Sequence, residues 1–373
     1  MPLEFVPLTE SHLDAARAFN QRLREAAAPT DFLLPESRGA APHPDARIHW
    51  TQYVAWDGNQ VRGGVIEMDQ PGWLGDRPVR AFNYQSPLSE GIVNRKYAMV
   101  AAQMVKFFEQ GGKLAFIEGM GSESRPLPRL LKAGGWSVRE VPFLFRVHRA
   151  GAVLRELRVL NSSPVRSMVA RAAAFTGIGL LGFRLLHWRR RSPGASGVSI
   201  RRVKGWGDWA DDIWERVRRH CSFAVQRDRR MLDELYPQSD PRLNIFLVER
   251  GGHPVGWTVC FDTRAADHAH LRPHFGRLRV GSILDCAAAP EEMRATAVLT
   301  DSELGRRGVD LVVSNQCHGL WIRNFRLAGF LPGPSNFLLA TSKTLTQAVL
   351  AQPNGENRVH ITRGDGAGRL GLG

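Results

Sequence analysis

LLKAGGW (130–136) and NFRLAGF (324–330) read as one structural piece written twice, 194 residues apart. In each, an apolar and basic stretch ends at a glycine, Gly135 or Gly329, and an aromatic residue, Trp136 or Phe330, follows at once. Glycine just past a helix reaches the left-handed conformation that closes the last turn, and a large aromatic residue suits a half-buried strand. The pattern predicts a helix, a glycine stop and a strand at both places.

Outward from these anchors the element order repeats. In the first half, LEFVPL (3–8) is a strand, and Thr9 caps a helix from about Glu10 to Ala27 with Leu13, Ala16, Phe19 and Leu23 at helical spacing. WTQYVAWD and QVRGGVIEMD form a hairpin through Gly58-Asn59, and VRAFNYQS (79–86) is a strand. A helix runs from about Ile92 to Gln110, where Gly111-Gly112 stops it. LAFIEG is a strand, PLPRLLKAG a helix, and WSVREVPFLFRVH a closing strand. In the second half VSIRRV, DWADDIWERVRRH, the hairpin NIFLVERGGHPVGWTVCFD, LRVGSILDCAA, EEMRATAVLTDSELGRRG, DLVVSNQ, LWIRNFRLAG and SNFLLATS give the same succession. Repetition of element order as well as composition means internal duplication.

The chain has 373 residues, 43% hydrophobic and 23% charged, which suits two folded domains and excludes wholesale disorder. Four cysteines (Cys221, Cys260, Cys286, Cys317) without a CxxC pair exclude a disulfide scaffold and a zinc ribbon, and suit a reducing cytoplasm. The opening MPLEFVPLTESHLD carries acids and no apolar core run, so no signal peptide is expected. The formal charge of +14 is unevenly spread: thirteen Arg or Lys from Arg146 to Lys204 face one acid, Glu156, leaving +12 there and +2 elsewhere.

That basic middle contains a twelve-residue uncharged run, Ala172 to Phe183, flanked by Arg171 and Arg184 and interrupted by Gly177, Gly179 and Gly182. A membrane span needs about 20 apolar residues. Three readings remain open: a linker helix buried between domains, a helix lying in an anionic membrane surface through residues 164–191, and, least in keeping with the length of the run, a true span. The Gly-rich stretch after Gln352 reads as a disordered tail.

On the element order and the KAGGW and LAGF junctions, the two halves resemble a tandem GCN5-related N-acyltransferase (GNAT) protein over about 1–148 and 197–345. The resemblance implies an α/β fold of two mixed-sheet GNAT-like domains (1–150 and 197–346) joined by a basic, partly apolar linker (151–196), with 347–373 as the tail. It implies acyl-coenzyme A as co-substrate, bound where two parallel central strands part, with its pyrophosphate on the amides that open the following helix. The family's loop there has the form Q/R-x-x-G-x-G/A. The first half has QSPLSEGIVNRKY instead, in which Ser89, Gly91, Arg95 and Lys96 are the candidate cofactor-binding residues and Glu90 opposes an anion. The second half has CAAAPEEMRATA, with no glycine and with Glu291-Glu292 where phosphate would lie. The first half is therefore the better donor site.

Acyl transfer to an amine needs a base, an oxyanion donor and an acid for the leaving thiolate. Tyr84 and Glu118 in the first half, and Asp285 and Asn315 in the second, are the catalytic candidates; Ser122, Glu123, Ser124, His318 and Asn324 stand beside them. Asp267, His268, His270 and His274 with Cys286, Cys317 and His318 match no metal-ligand spacing, so no metal is expected. The absence of GxxxxGK[ST] and GxSxG argues against a P-loop NTPase and a serine hydrolase. The expectation is an acyl-CoA-dependent N-acyltransferase acting on a small amine, such as an amino sugar or an envelope or lipid-linked precursor. It would be cytoplasmic and peripheral on the inner face of a membrane, with no DNA partner. The rivals are a Fem-like transferase using aminoacyl-tRNA and a non-catalytic GNAT-fold binding protein.

Overall fold

The computed structural model describes residues 3–28, 33–34, 45–156, 197–268, 271–353 and 355–366, so the basic segment 164–191 lies outside the described residues. The chain forms two compact units, Met1–Glu140 with Asn336–Glu356 (unit 1) and Val141–Ser335 with Asn357–Gly373 (unit 2).

Unit 1 runs β1 (Glu4–Pro7), α1 (Leu13–Glu25), β2 (His49–Trp56), β3 (Val61–Leu74), β4 (Arg77–Ser89), α2 (Ala98–Phe108), β5 (Ala115–Glu118), α3 (Pro126–Ala133) and β6 (Ser137–Glu140). Thr9 opens the first helical segment, exchanging hydrogen bonds with His12. Ala16, Phe19 and Leu23 then bury one face of α1 against Val54, Val61 and Leu88. On the other side of the sheet, Met104 and Phe108 of α2 and Leu131 of α3 pack on Val65, Tyr84, Ala115 and Ile117. Burying a side chain of this size is worth about 1.5–3 kcal/mol.

Unit 2 runs β7 (Phe143–Val147), α4 (Ala150–Glu156), β8 (Val198–Val203), α5 (Trp209–Arg218), β9 (Phe223–Val225), α6 (Arg229–Leu235), β10 (Leu243–Arg250), β11 (His253–Arg264), α7 (Arg272–Phe275), β12 (Arg279–Ala288), α8 (Met293–Arg306), β13 (Leu311–Asn315), α9 (Gly319–Leu327) and β14 (Leu331–Gly333). The chain then gives unit 1 a strand, β15 (Leu338–Thr341), and a helix, α10 (Lys343–Leu350), and gives unit 2 a last short strand, β16 (Val359–His360).

The strand orders are β1-β2-β3-β4-β5-β15-β6 in unit 1 and β14-β7-β13-β12-β11-β10-β8 in unit 2. Read from opposite ends, they are one topology. In each sheet the fourth and fifth strands are parallel, β4 with β5 and β12 with β13. In each, the strand beside the fifth comes from the other half of the sequence: β15 pairs antiparallel with β5, and β7 with β13. The stretch read as one closing strand, WSVREVPFLFRVH, is therefore two strands in two sheets. Pro142, without an amide hydrogen, breaks the ladder between them.

The duplicated junction repeats to the hydrogen bond. Gly135 and Gly329 have φ of +85° and +97°, as a left-handed helix stop requires. Trp136 donates to the Leu131 carbonyl and Phe330 to the Phe325 carbonyl, each at 3.0 Å; Gly135 and Gly329 close the inner turns on Lys132 and Arg326. A second departure concerns the segment after Gln352. Glycines suggest a loose tail, yet residues 359–362 are buried and β16 pairs with β9, because Val359 and Ile361 supply the apolar anchors that composition averages away.

Candidate functional site

In unit 1, β4 and β5 share the parallel pairs Phe82↔Ala115 and Asn83↔Phe116 and then part. Beyond that point β4 continues on β3 and β5 on β15. As it leaves, β4 takes an extra residue: its register with β3 steps from Ile66↔Gln85 to Gly64↔Leu88, and Ser86 sits at φ +48°, rare for a side-chain-bearing residue. Gln85, 7% exposed, has neither of its carboxamide atoms hydrogen-bonded among the described residues.

Past the bulge, Ser89 Oγ accepts from the Gly91 amide at 3.1 Å, and Asn94 Oδ1 accepts from the Lys96 amide at 3.0 Å. A Cβ on Gly91 would lie 2.8 Å from the Tyr97 carbonyl oxygen and 2.9 Å from Ala98 Cα, so only glycine lets this loop close on the start of α2. The expected obstacle, Glu90, is buried and already neutralised. It accepts from Arg22 Nε at 3.0 Å and from Arg62 Nη1 at 3.0 Å, and the Arg62 guanidinium lies 4.1 Å from the Tyr97 ring centre. Arg62 also holds Asp57 at 2.7 Å. Ser89 and Gly91 thus shape the loop, while Arg95 and Lys96 stand exposed on it with two apolar neighbours, Ile92 (44% exposed) and Met99 (66% exposed). Exposed cations beside exposed apolar groups suit a ligand that is both anionic and part apolar.

Among the unit 1 catalytic candidates, Tyr84 is buried in the core and stacks on Phe108 at 4.1 Å. Burial, then Glu67 and Tyr53, push its phenol far above the usual range, so it keeps its proton. Glu118 ends β5, half-buried, beyond the parting. Ser122 and Ser124 are exposed and bonded to each other at 2.8 Å, and Glu123 holds Lys132 at 2.7 Å.

The same place in unit 2 is filled. β12 and β13 pair up to Ile283↔Ser314 and then part, with a bulge in β12 opposite Val259 and Cys260. Asp285, fully buried, accepts from Arg227 Nε at 2.6 Å, from the Tyr236 hydroxyl at 2.7 Å and from the Cys286 amide at 2.8 Å. Arg227, also fully buried, donates on to Asp365 at 2.6 Å. Its two carboxylate partners outweigh its burial and hold the guanidinium charged, while burial drives the Tyr236 phenol well above its normal range. Asn315 lies buried at the end of β13, opposite Phe143. His318 is buried beside His360, ring centres 6.0 Å apart, and Asn324 is spent on the Leu320 carbonyl at 2.9 Å. At the head of α8, Glu292 is clamped by Arg250 at 2.6 and 2.8 Å while Glu291 stays exposed, so only one of the two carboxylates expected there still repels an anion.

Sequence reasoning missed Gln85, Arg227, Tyr236 and Asp365. Their signal is three-dimensional: the Arg227 contacts span 58 and 138 residues. A cleft of about 320 Å³ at the opposite end of β12 is lined by Arg242, Asp262, Arg264, Asp267, His268 and Arg279, but Arg279 is held by Asp262 and Arg242 by Asp240. Among the described residues no group of three or more His, Cys, Asp or Glu side chains is placed to hold a metal ion, and no helix is long and apolar enough to cross a membrane.

The topology makes the chain a pair of mixed-sheet, GNAT-like α/β units with an exchanged strand in each. No family model and no curated protein matches the sequence. Solved structures are similar to it in fold alone. A conserved protein of unknown function from Enterococcus faecalis V583, described as a probable N-acyltransferase, is 9% identical, with 95% of this chain and 76% of that one covered and a TM-score of 0.49. A tandem GNAT protein from the clavulanic acid biosynthesis pathway is 14% identical, with coverage of 92% and 99% and a TM-score of 0.43. An N-myristoyltransferase of Saccharomyces cerevisiae with bound myristoyl-CoA is 10% identical, with coverage of 91% and 80% and a TM-score of 0.46.

Proposed function

We propose that the protein is an acyl-CoA-dependent N-acyltransferase whose donor site lies in unit 1. The observation that carries this is the contrast at the parted strands. In unit 1 a bulged β4 leads through Ser89 and Gly91 to exposed Arg95 and Lys96, whereas in unit 2 the corresponding end is closed by Arg227, Asp285 and Asp365. The residues fit the co-substrate: two exposed cations, Arg95 and Lys96, for a diphosphate, Ile92 and Met99 for its apolar parts, and the Gln85 carboxamide at the bulge, without a hydrogen-bond partner among the described residues. A coenzyme A thioester brings an activated acyl carbon. The chain would orient it along β4; the amine nitrogen would bond to the acyl carbon as the C–S bond breaks, coenzyme A would leave as its thiolate and be protonated from solvent, and Glu118, the carboxylate just past the parting, would take the proton of the attacking amine. The acceptor follows from the same reading as a small amine, an amino sugar or an envelope or lipid-linked precursor.

Titration calorimetry with coenzyme A tests the donor assignment. Arg95→Glu with Lys96→Glu should weaken binding at least tenfold, about 1.4 kcal/mol. Undiminished binding, or density for the ligand beside Glu291, overturns it. Glu118→Gln should lower kcat with little change in coenzyme A affinity.

A further inference from the structure

Unit 2 holds, in a groove, a short strand and tight turn of its own chain. Residues 358–365 cross the ends of β12 and β13 where those strands part. The Ser222 amide donates to the Arg358 carbonyl at 2.9 Å, and β16 adds to β9 in parallel register, Val359↔Phe223 and His360↔Ala224. The Cys317 sulfur, just past β13, lies 3.2 Å from the Val359 carbonyl oxygen and 2.9 Å from that of Ile361, with one S–H to share between them, and accepts from the Ile361 amide at 3.3 Å. The Asp365 carboxylate meets Arg227 at 2.6 Å and returns to the Thr362 amide at 2.7 Å. Gly364 lies so close to Tyr236 and Asp285 that a Cβ there would collide with the Tyr236 hydroxyl.

Two parts of peptide recognition by strand addition are present, main-chain pairing for affinity and a charged anchor for register, and the four side chains Val359 to Thr362 are all buried between them. Arg227 is the anchor. With its ring of partners fully buried, it demands a carboxylate one residue after a glycine. We infer that unit 2 is a peptide-binding module, selective for a short strand that turns into Gly-Asp, whose resident ligand is this chain's own 357–366. The reading goes beyond the donor-site assignment and does not depend on it, since every readout lies in unit 2 and none is acyl transfer.

Cys317 is a native reporter, because its sulfur is wrapped by the segment. Alkylation of the full-length protein, read at Cys317 by peptide mass spectrometry, should be slow in the native chain and at least tenfold faster in Gly364→Val. A synthetic peptide of residues 355–366 should restore protection of that variant saturably. The same peptide with Asp365→Asn should do so at least tenfold more weakly. Should Gly364→Val not fold, Asp365→Asn in the full chain, which keeps the side-chain size, is the second variant, rescued by the same native peptide. Unchanged Cys317 labelling in both variants overturns the inference. So does faster labelling that no concentration of peptide reverses, since the segment would then be a structural strap and unit 2 no binding module.

Discussion

Gln85 and Asp285 each lie two residues past the last parallel pair of their sheets, on the fourth strand where it leaves the fifth. One is a buried carboxamide with no hydrogen-bond partner among the described residues; the other is a buried carboxylate held by an arginine, a tyrosine and a backbone amide. A buried polar group left unpaired costs about 1–3 kcal/mol, whereas replacing it by an apolar side chain of like shape removes that cost. At this one position the duplicated fold pairs the polar group in unit 2 and leaves it without a partner among the described residues in unit 1, where a ligand has something to gain.

The first prediction follows directly. Gln85→Leu should leave the melting temperature unchanged or raise it, and should weaken acyl-donor binding. Differential scanning calorimetry and titration with coenzyme A read the two arms. A marked loss of stability would mean that Gln85 has a structural partner after all.

Asp285 behaves in the opposite way. Removing one member of a buried ion pair leaves the other charge uncompensated, which typically costs about 3–5 kcal/mol. Asp285→Ala should therefore lower the denaturant midpoint of unit 2 severely, since among the described residues Arg227 would keep one carboxylate, Asp365, with the neutral Thr362 hydroxyl and Gln226 carbonyl. A midpoint within experimental error of the parent would show that the Arg227 network contributes nothing to the fold.

Much of the architecture was legible because it depends on local chemistry. Gly135 with Trp136 and Gly329 with Phe330 specify the same helix stop wherever they occur, and the repeat of elements around them sets the sheet order. What could not be read depends on partners far along the chain. Val141-Pro142 gives no hint that the strands on either side belong to different sheets. Glu90 reads as hostile to an anion until Arg22, 68 residues before it, and Arg62 are seen to hold it. The tail reads as loose because its glycines dominate, although Gly364 is the residue that lets it pack against Tyr236. Tyr84 looks like a catalytic candidate by position, but strand alternation turns it onto Phe108 under α2.

The docked tail should respond to acid. Burial holds His318 down at about 3 and His360 at about 4, below the unfolded value near 6.5. Each also faces the other ring; Arg358 opposes protonation of His318 and Arg227 that of His360, while Asp285 favours it at His360. Unfolded histidine binds protons that the folded protein refuses, so stability is complete above about pH 6.5 and declines as pH falls from there toward about 4. Melting temperatures across this window, with His318→Gln and His360→Gln as comparators, measure it. An identical acid dependence in both variants would remove the histidines as its cause.

The basic middle supports a further expectation. Each cationic residue near an anionic surface is worth about 1 kcal/mol, and the attraction decays over about 10 Å at 0.1 M salt. Full-length protein should co-sediment with anionic vesicles at low salt and release as salt rises. Changing Arg189, Arg190 and Arg191 to Gln should reduce binding. Equal binding to neutral vesicles, or none at low salt, excludes an electrostatic membrane contact.

The last prediction separates the shape of the donor loop from its charge. Gly91→Ala leaves Arg95 and Lys96 untouched, yet the new Cβ would meet the Tyr97 carbonyl oxygen and Ala98 Cα, backbone atoms that cannot rotate away. The loop must open, and the cations move with it. Coenzyme A affinity should fall at least tenfold while unit 2 melts as before. Gly151→Ala is the control, because a Cβ there meets nothing within 4 Å. Glu90→Gln should lie between the two: it keeps the side-chain size but deprives Arg22 and Arg62 of the carboxylate that ties the loop to α1 and β3. If Gly91→Ala binds coenzyme A as tightly as Gly151→Ala does, the turn between β4 and α2 does not form the donor site, whatever its two cations suggest.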